Sequence, residues 1–252
     1  MCGRYELHTH PAALALAFGL PIPPTIKPRY NIAPMQDVPV IRTSSHGGRE
    51  LTLVRWGLVP RWAKDPSIGS RMINARAETL AEKPSFRTAL RKHRCLIPAN
   101  GFYEWKVGAG GAKQPLHIGM KDGAPFAFAG LTERWLAADG EVLDTCTIIT
   151  TQANALLSPL HDRMPAIVAP ADYERWLDVT LPDVADVLAP YPAQLMEYYP
   201  VSTRVNAVRH DDAGLIERIA EAAEPCAETV ADDAGTAKDE PAEVPPAQSE
   251  LF

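Results

Sequence analysis

Cysteine is scarce in this 252-residue chain, and long apolar runs are missing altogether. The four cysteines, Cys2, Cys95, Cys146 and Cys226, are scattered and include no C-x-x-C pair. That pattern fits neither a disulfide scaffold nor a zinc site, and it points to a reducing cytoplasm and to no bound metal. No stretch of about 18 or more apolar residues occurs, so no membrane-spanning helix is expected. The N-terminus lacks the basic-then-apolar pattern of a signal peptide. P-loop, G-x-S-x-G and dinucleotide-binding fingerprints are absent, and nothing calls for a cofactor.

What is there suits a globular protein. Hydrophobic residues make up 46% and charged residues 22%, enough of each to bury a core and solvate a surface. The net charge of −6 misleads, because from Glu221 onward nine acidic residues face Lys238 alone, a local net of −8 that leaves +2 on residues 1–220. Overall acidity therefore does not exclude an anionic partner. The Ala-, Pro-, Asp- and Glu-rich stretch 223–252 cannot bury a core and is expected to be a disordered tail. Residues 2–222 are expected to form one domain.

Within that domain, Thr9-His10-Pro11 and the following Ala/Leu run predict a helix ending at Gly19. Four prolines between Leu20 and Pro28 predict an extended loop. Val38–Arg42 and Leu51–Trp56 predict a strand pair around Ser44–Gly48, and Lys83–Lys92 a helix with a basic face. Further strands are predicted at Arg94–Pro98, Gly101–Lys106, Pro115–Met120, Phe126–Leu131, Val142–Thr150 and Ile167–Ala169. Short helices are predicted at Thr151–Leu157, Pro170–Leu177 and Asp183–Leu188, with a last helix at Asp212–Ala222. Strands and helices mix without strict alternation, which predicts an α+β fold with antiparallel, barrel-like curled sheets flanked by helices.

The chemistry concentrates in short stretches, beginning with Met1-Cys2-Gly3-Arg4-Tyr5. Removal of Met1 would leave Cys2 with an α-amine of pKa roughly 8 beside a thiol of roughly 8.5, both partly nucleophilic near neutral pH. Such a 1,2-aminothiol can condense with an aldehyde, the amine forming an imine and the sulfur closing a thiazolidine. It can also act as an N-terminal nucleophile on an acyl group. The ordinary alternative is a small buried cysteine. Glu104, in Gly-Phe-Tyr-Glu-Trp, reads as a general acid or base in an apolar setting or as a solvated strand carboxylate. His161 titrates near neutral pH, and Asp162 could orient it. Asn74 offers an amide to an amine or sugar hydroxyl, or else forms a turn. Arg76 shares its face if that segment is extended. Arg4, Arg29, Arg71, Arg76 and Arg163 are phosphate candidates or surface charges. Trp62 in Pro-Arg-Trp-Ala-Lys suits base stacking, whereas Trp56 suits the core.

Six stretches in order, Met-Cys-Gly-Arg-Tyr, Arg-Tyr-Asn-Ile-Ala-Pro, Trp-Gly-Leu-Val-Pro-Arg-Trp, Ile-Asn-Ala-Arg-Ala-Glu-Thr, Gly-Phe-Tyr-Glu-Trp and Leu-His-Asp-Arg-Met-Pro, resemble the SOS-response-associated peptidase (SRAP) family across residues 2–210. The resemblance implies sensing of abasic sites in single-stranded DNA and a covalent thiazolidine crosslink through Cys2. It implies that Asn74 holds the amine or sugar, that Glu104 shuttles protons and that His161 helps open the sugar ring or protonates the leaving oxygen. Arg4, Arg76 and Arg163, with Arg29, Trp62 and Thr150, would grip the strand. The family name records a peptidase-like ability to expose Cys2; with only Met1 ahead of it, no propeptide has to be cut. The expected partner is single-stranded DNA carrying abasic sites, bound by a monomer in the cytoplasm or at the nucleoid, with no membrane. Two alternatives stand beside this: an N-terminal-nucleophile peptidase or amidase, and a non-covalent single-strand binding module.

Overall fold

The structure is a computed structural model and describes residues 2–108 and 111–220. The acidic segment 223–252 and part of the glycine-rich tip between Val107 and Lys113 lie outside the described residues. In chain order the elements are β1 (Tyr5–Leu7), α1 (Pro11–Phe18), β2 (Arg29–Ile32), β3 (Asp37–Thr43), β4 (Arg49–Trp56), β5 (Asn74–Arg76), α2 (Arg87–Lys92), β6 (Arg94–Ala99), β7 (Gly101–Val107) and β8 (Lys113–Met120). There follow β9 (Phe126–Leu136), β10 (Val142–Gln152), β11 (Arg163–Pro165), β12 (Ile167–Val168), α3 (Tyr173–Leu177) and β13 (Met196–Pro200).

Five strands close into a barrel in the order β10-β4-β3-β6-β9, the ring completed by β9 pairing with β10 from Val142↔Leu136 to Ile148↔Gly130. Closure leaves these strands no free edge. β11 and β12 extend the barrel sheet from β10 and β9. A second, antiparallel sheet runs β13-β8-β7-β1-β2. The fold is thus α+β with curled, largely antiparallel sheets. Two pairings are parallel: β10 with β4, and β10 with the three-residue β5.

The two sheets meet over aromatic side chains. Tyr5 and Phe102 of the second sheet pack edge-on against Trp56 and Phe128 of the barrel, with ring centroids 5.4–5.9 Å apart. All four are fully buried, and each pair adds about 0.5–1.5 kcal/mol beyond its area. Trp56 is therefore a core residue, and its indole N–H donates to the Ile73 carbonyl at 2.8 Å. Helices are few and short. α1 begins at Pro11 behind His10, whose ring accepts from the Ala12 N–H, and it ends at Gly19.

Two predicted helices do not form. Thr151 and Gln152 continue β10 and pair with Met164 and Arg163, and the next residues turn around Asn154, whose side chain accepts from the Leu156 and Leu157 N–H groups. After Asp212 the chain makes one 3-10 turn, Ala213–Ile216. Leu215 is buried there, and Ile219 gives its N–H to the Pro200 carbonyl at the end of β13, so the backbone bonds go to a strand rather than a helix.

β5 is placed by its surroundings. Gly57 (φ +140°) lies so close to Gly69 that a Cβ on it would sit 2.8 Å from the Gly69 carbonyl oxygen. Leu58 then donates to Met72, and Ile148 of β10 to Ile73. The chain is delivered into β5 with Ala75 buried, so strand alternation sets Asn74 and Arg76 together on the other face.

Candidate functional site

The N-terminal segment lies along β7. Tyr5 pairs with Phe102, and the Tyr103 N–H donates to the Arg4 carbonyl at 3.0 Å. Continuing that antiparallel course lays Gly3 and Cys2 beside Glu104. Cys2 is fully buried, its Sγ 3.9 Å from the Arg4 carbonyl oxygen. Burial first, and the Glu104 carboxylate second, push its thiol far above the ordinary cysteine value. The sequence expectation of a partly ionised thiol at neutral pH is corrected here: a thiolate loses its hydration and meets a like charge.

Asn74 faces Cys2 from β5. Its Nδ2 donates to the Cys2 carbonyl at 2.8 Å, while its Oδ1 is buried without a hydrogen-bond partner. A buried acceptor left empty costs about 1–3 kcal/mol, so the site retains an amide oxygen beside the nucleophile. Cys2, Asn74 and Glu104 thus come together from three parts of the chain.

A second group forms one strand along. β10 places Thr150 opposite Arg76 on one side and Pro165 on the other. Arg163 is nearly buried and grips Glu78 with both amino groups, at 2.6 and 3.0 Å. It also donates to the Thr150 carbonyl at 2.5 Å and to its hydroxyl at 3.3 Å. Thr150 is fully buried. The Thr150 hydroxyl and both Arg163 amino groups are spent inside the protein, whereas Arg163 Nε is buried without a hydrogen-bond partner. Arg76 is exposed, and its side chain makes no hydrogen bond or ion pair among the described residues.

His161 stands where the chain enters β11. Its Nδ1 lies 2.9 Å from the Arg163 N–H, which donates to it, and 2.7 Å from an Asp162 carboxylate oxygen. One nitrogen satisfies only one of these at a time: the neutral ring accepts from Arg163, and the protonated ring donates to Asp162. No hydrogen bond or ion pair joins His161 to Cys2 or Asn74 among the described residues.

Arg4 and Arg29 belong to a third group. Arg4 donates at 2.7 Å to both the Asn31 side chain and the Val205 carbonyl, and burial lowers its pKa. Arg29 pairs with Asp211 at 3.3 Å and donates to Gln36. Trp62 stands 60% exposed in the loop after β4. Sequence reasoning missed Glu78 and Asn31 as the residues that hold Arg163 and Arg4, although both lie inside the recognised stretches. Among the described residues no group of three or more His, Cys, Asp or Glu could hold a metal, and no helix is long and apolar enough to cross a membrane.

Comparison with known proteins places this arrangement. The family described as SOS response associated peptidase (SRAP) matches residues 1–208. The abasic site processing protein YoqW of Bacillus subtilis (strain 168) is 45% identical over 223 residues, spanning 86% of this chain and 99% of its own. The abasic site processing protein HMCES of Gallus gallus is 35% identical over 217 residues, spanning 73% of this chain and 64% of its own. A crystal structure of a protein from Bacteroides thetaiotaomicron superposes with a TM-score of 0.77 at 29% identity, covering 87% of this chain and all of that one.

Proposed function

The chain belongs to the SRAP family, and from that premise we propose that it recognises abasic sites in single-stranded DNA and captures them covalently at Cys2. The observation that carries the reading is the Asn74 amide, which holds the Cys2 carbonyl with one atom and leaves the other, buried, for a ligand. The names of the relatives above supply the lesion. The activity is assigned to residues 2–222.

The chemistry starts once Met1 is removed, because in the chain as translated the Cys2 nitrogen is an amide. An abasic deoxyribose in its open form presents an aldehyde. The Cys2 amine adds to that carbon, and Asn74 Oδ1 accepts one of the amine hydrogens. The carbinolamine oxygen leaves as water, protonated by His161 or by Glu104 carrying the proton it took from the α-ammonium as the free amine formed, and an iminium remains. The thiol then adds to the same carbon: the C–S bond forms, the iminium electron pair returns to nitrogen, and the thiol proton passes to Glu104. One aldehyde and one aminothiol give one thiazolidine and one water.

Arg76 and Trp62, both exposed, meet the strand, one as a phosphate contact and the other as a stacking platform. Arg4, Arg29, Arg163 and Thr150 act from within, holding the elements that carry Cys2, Arg76 and His161.

Mass spectrometry of the purified protein with an oligonucleotide bearing one abasic site tests the reading. The expected species lacks Met1 and weighs one water less than its two components. An adduct formed equally well by Cys2→Ala refutes it. The family description favours a second reading, a peptidase using Cys2 as its nucleophile, and turnover of a peptide in the absence of DNA would support that instead.

A further inference from the structure

A cluster of titratable side chains, Glu6 and His117 buried and His8 partly exposed, lies beside β1. Glu6 is 1% exposed. Its two carboxylate oxygens lie 3.1 Å from His117 Nε2 and 3.2 Å from His8 Nε2. His117 belongs to β8, which does not touch β1; β7 runs between them. The contact crosses β7 because Gly101 stands at the crossing: a Cβ there would sit 2.2 Å from His117 Nε2 and 2.9 Å from the Glu6 oxygen. Tyr103 and Tyr199 flank the His117 ring.

We infer that Glu6 and His117 are positioning residues for the capture at Cys2, pinning β1 across β7 to β8 and so fixing the short lead that carries the nucleophile. The inference rests on the covalent reading above. Its physical basis is the spacing of the anchors along residues 2–6. Asn74 holds the Cys2 carbonyl at 2.8 Å, Tyr103 the Arg4 carbonyl at 3.0 Å, Asn31 the Arg4 guanidinium at 2.7 Å, and Asn100 the Glu6 carbonyl at 2.9 Å. β1 itself is only three residues long, and its two paired residues with β7 are Tyr5 and Glu6. β1 also pairs with β2 at Tyr5 and Leu7, and the side chain of Glu6 adds a tie to β8 that neither short ladder gives. A buried carboxylate is costly unless it is partnered; His117 makes the hydrogen bond to one Glu6 oxygen, while the other lies 3.2 Å from His8 Nε2 without a hydrogen bond. A shift of about 1 Å at a reacting group costs on the order of a hundredfold in rate, so a loosened lead is felt at Cys2 without any change in the surface that grips DNA.

The test separates rate from affinity in the full chain. Glu6→Gln keeps an acceptor for His117, whereas the double substitution Glu6→Leu, His117→Leu removes both polar partners and leaves neither stranded. Single-turnover adduct formation with an abasic oligonucleotide is measured at saturating protein. Affinity is measured with the same strand carrying a non-reactive tetrahydrofuran site. Expected are near-wild-type capture for Glu6→Gln, and for the double variant wild-type affinity with capture slowed about tenfold or more. If the double variant does not fold, Gly101→Ala, which drives a methyl into the contact, is judged by the same two measurements. Capture by the double variant at the wild-type rate overturns the inference, and so does a proportional loss of rate and affinity. Absence of any adduct with the wild-type protein overturns the covalent reading itself, a distinguishable result.

Discussion

Replacing Asn74 with Ala removes two things whose sizes can be worked out separately. The first is the 2.8 Å bond from Nδ2 to the Cys2 carbonyl, a neutral hydrogen bond contributing about 1 kcal/mol net. The second is the buried Oδ1, which has no partner in the protein and in the proposed capture accepts from the amine as it becomes charged; bonds to charged groups contribute about 1.5–3 kcal/mol. The first is already made in the free protein, so only the second acts on the barrier: about 1.5–3 kcal/mol of transition-state stabilisation, or roughly 10- to 150-fold in the rate of adduct formation. Folding loses the first term but is also relieved of the empty buried acceptor, so the two offset and the melting temperature should fall by no more than about 2–4 °C for a domain of this size. The assay is denaturing electrophoresis of single-turnover reactions with an abasic oligonucleotide, alongside thermal melting. Asn74→Asp is the stricter control: it preserves shape but sets a carboxylate against the Cys2 carbonyl, and it should be at least as slow. Capture by Asn74→Ala within a factor of two of wild type, with melting intact, would refute the claim that this amide touches the reacting groups.

The Arg163 bond depresses the Glu78 pKa; a carboxylate lowered in the folded state stabilises fully above its unfolded value of about 4.3 and loses that contribution as pH falls through the folded value. Glu78→Gln should therefore flatten the acid limb of the melting-temperature profile below about pH 5, by under about 1 kcal/mol given the half-exposed side chain. Gly57→Ala places a methyl 2.8 Å from the Gly69 oxygen and 2.9 Å from Met35 Sδ at φ +140°, so melting should drop by about 10 °C from roughly 3 kcal/mol of strain and clash. Trp62→Ala should weaken single-strand binding by about 1–3 kcal/mol with no change in melting, because the indole is exposed. Arg76→Ala should lower the salt slope of binding by about 0.7, read by titration at several ionic strengths. Glu104→Gln should stall capture at the imine, seen as a species trapped by borohydride; closure to the borohydride-resistant ring at the wild-type rate would contradict a proton-accepting role.

How much of this was legible beforehand follows from which forces act locally. The β3–β4 hairpin could be read because Val38–Arg42 and Leu51–Trp56 alternate around a polar turn, and α1 because His10-Pro11 and Gly19 punctuate it. The parallel docking of β5 on β10 could not. Three residues carry no periodic signal, and their placement is decided by the Gly57–Gly69 contact and by Trp56 reaching the Ile73 carbonyl, both long-range. The helix expected at Asp212–Ala222 failed for the same kind of reason, since the Ile219 N–H found the Pro200 carbonyl. In the site, residue types could be read but allegiances could not. Arg163 and Arg76 look alike in sequence, yet one is buried against Glu78 and Thr150, and the other is exposed with no side-chain hydrogen bond among the described residues. Only the register of β10 against β5 and β11 separates them.

The burial of Cys2 bears on the order of events in the proposed capture. A thiol held protonated by desolvation and by Glu104 is a weak nucleophile toward a neutral aldehyde, so sulfur does not lead. The amine, once Met1 is gone, has no such double penalty and adds first. Its addition then alters the electrostatics that restrained the sulfur: an iminium forms one carbon away, and an opposite charge favours thiolate character where Glu104 had opposed it. The carboxylate that raised the thiol pKa becomes the base that receives its proton. On the proposed reading, buried Cys2 and the half-buried Glu104 beside it would resist reaction in the free protein and complete it only after an aldehyde is engaged, so that the aminothiol is carried without being consumed by adventitious oxidants.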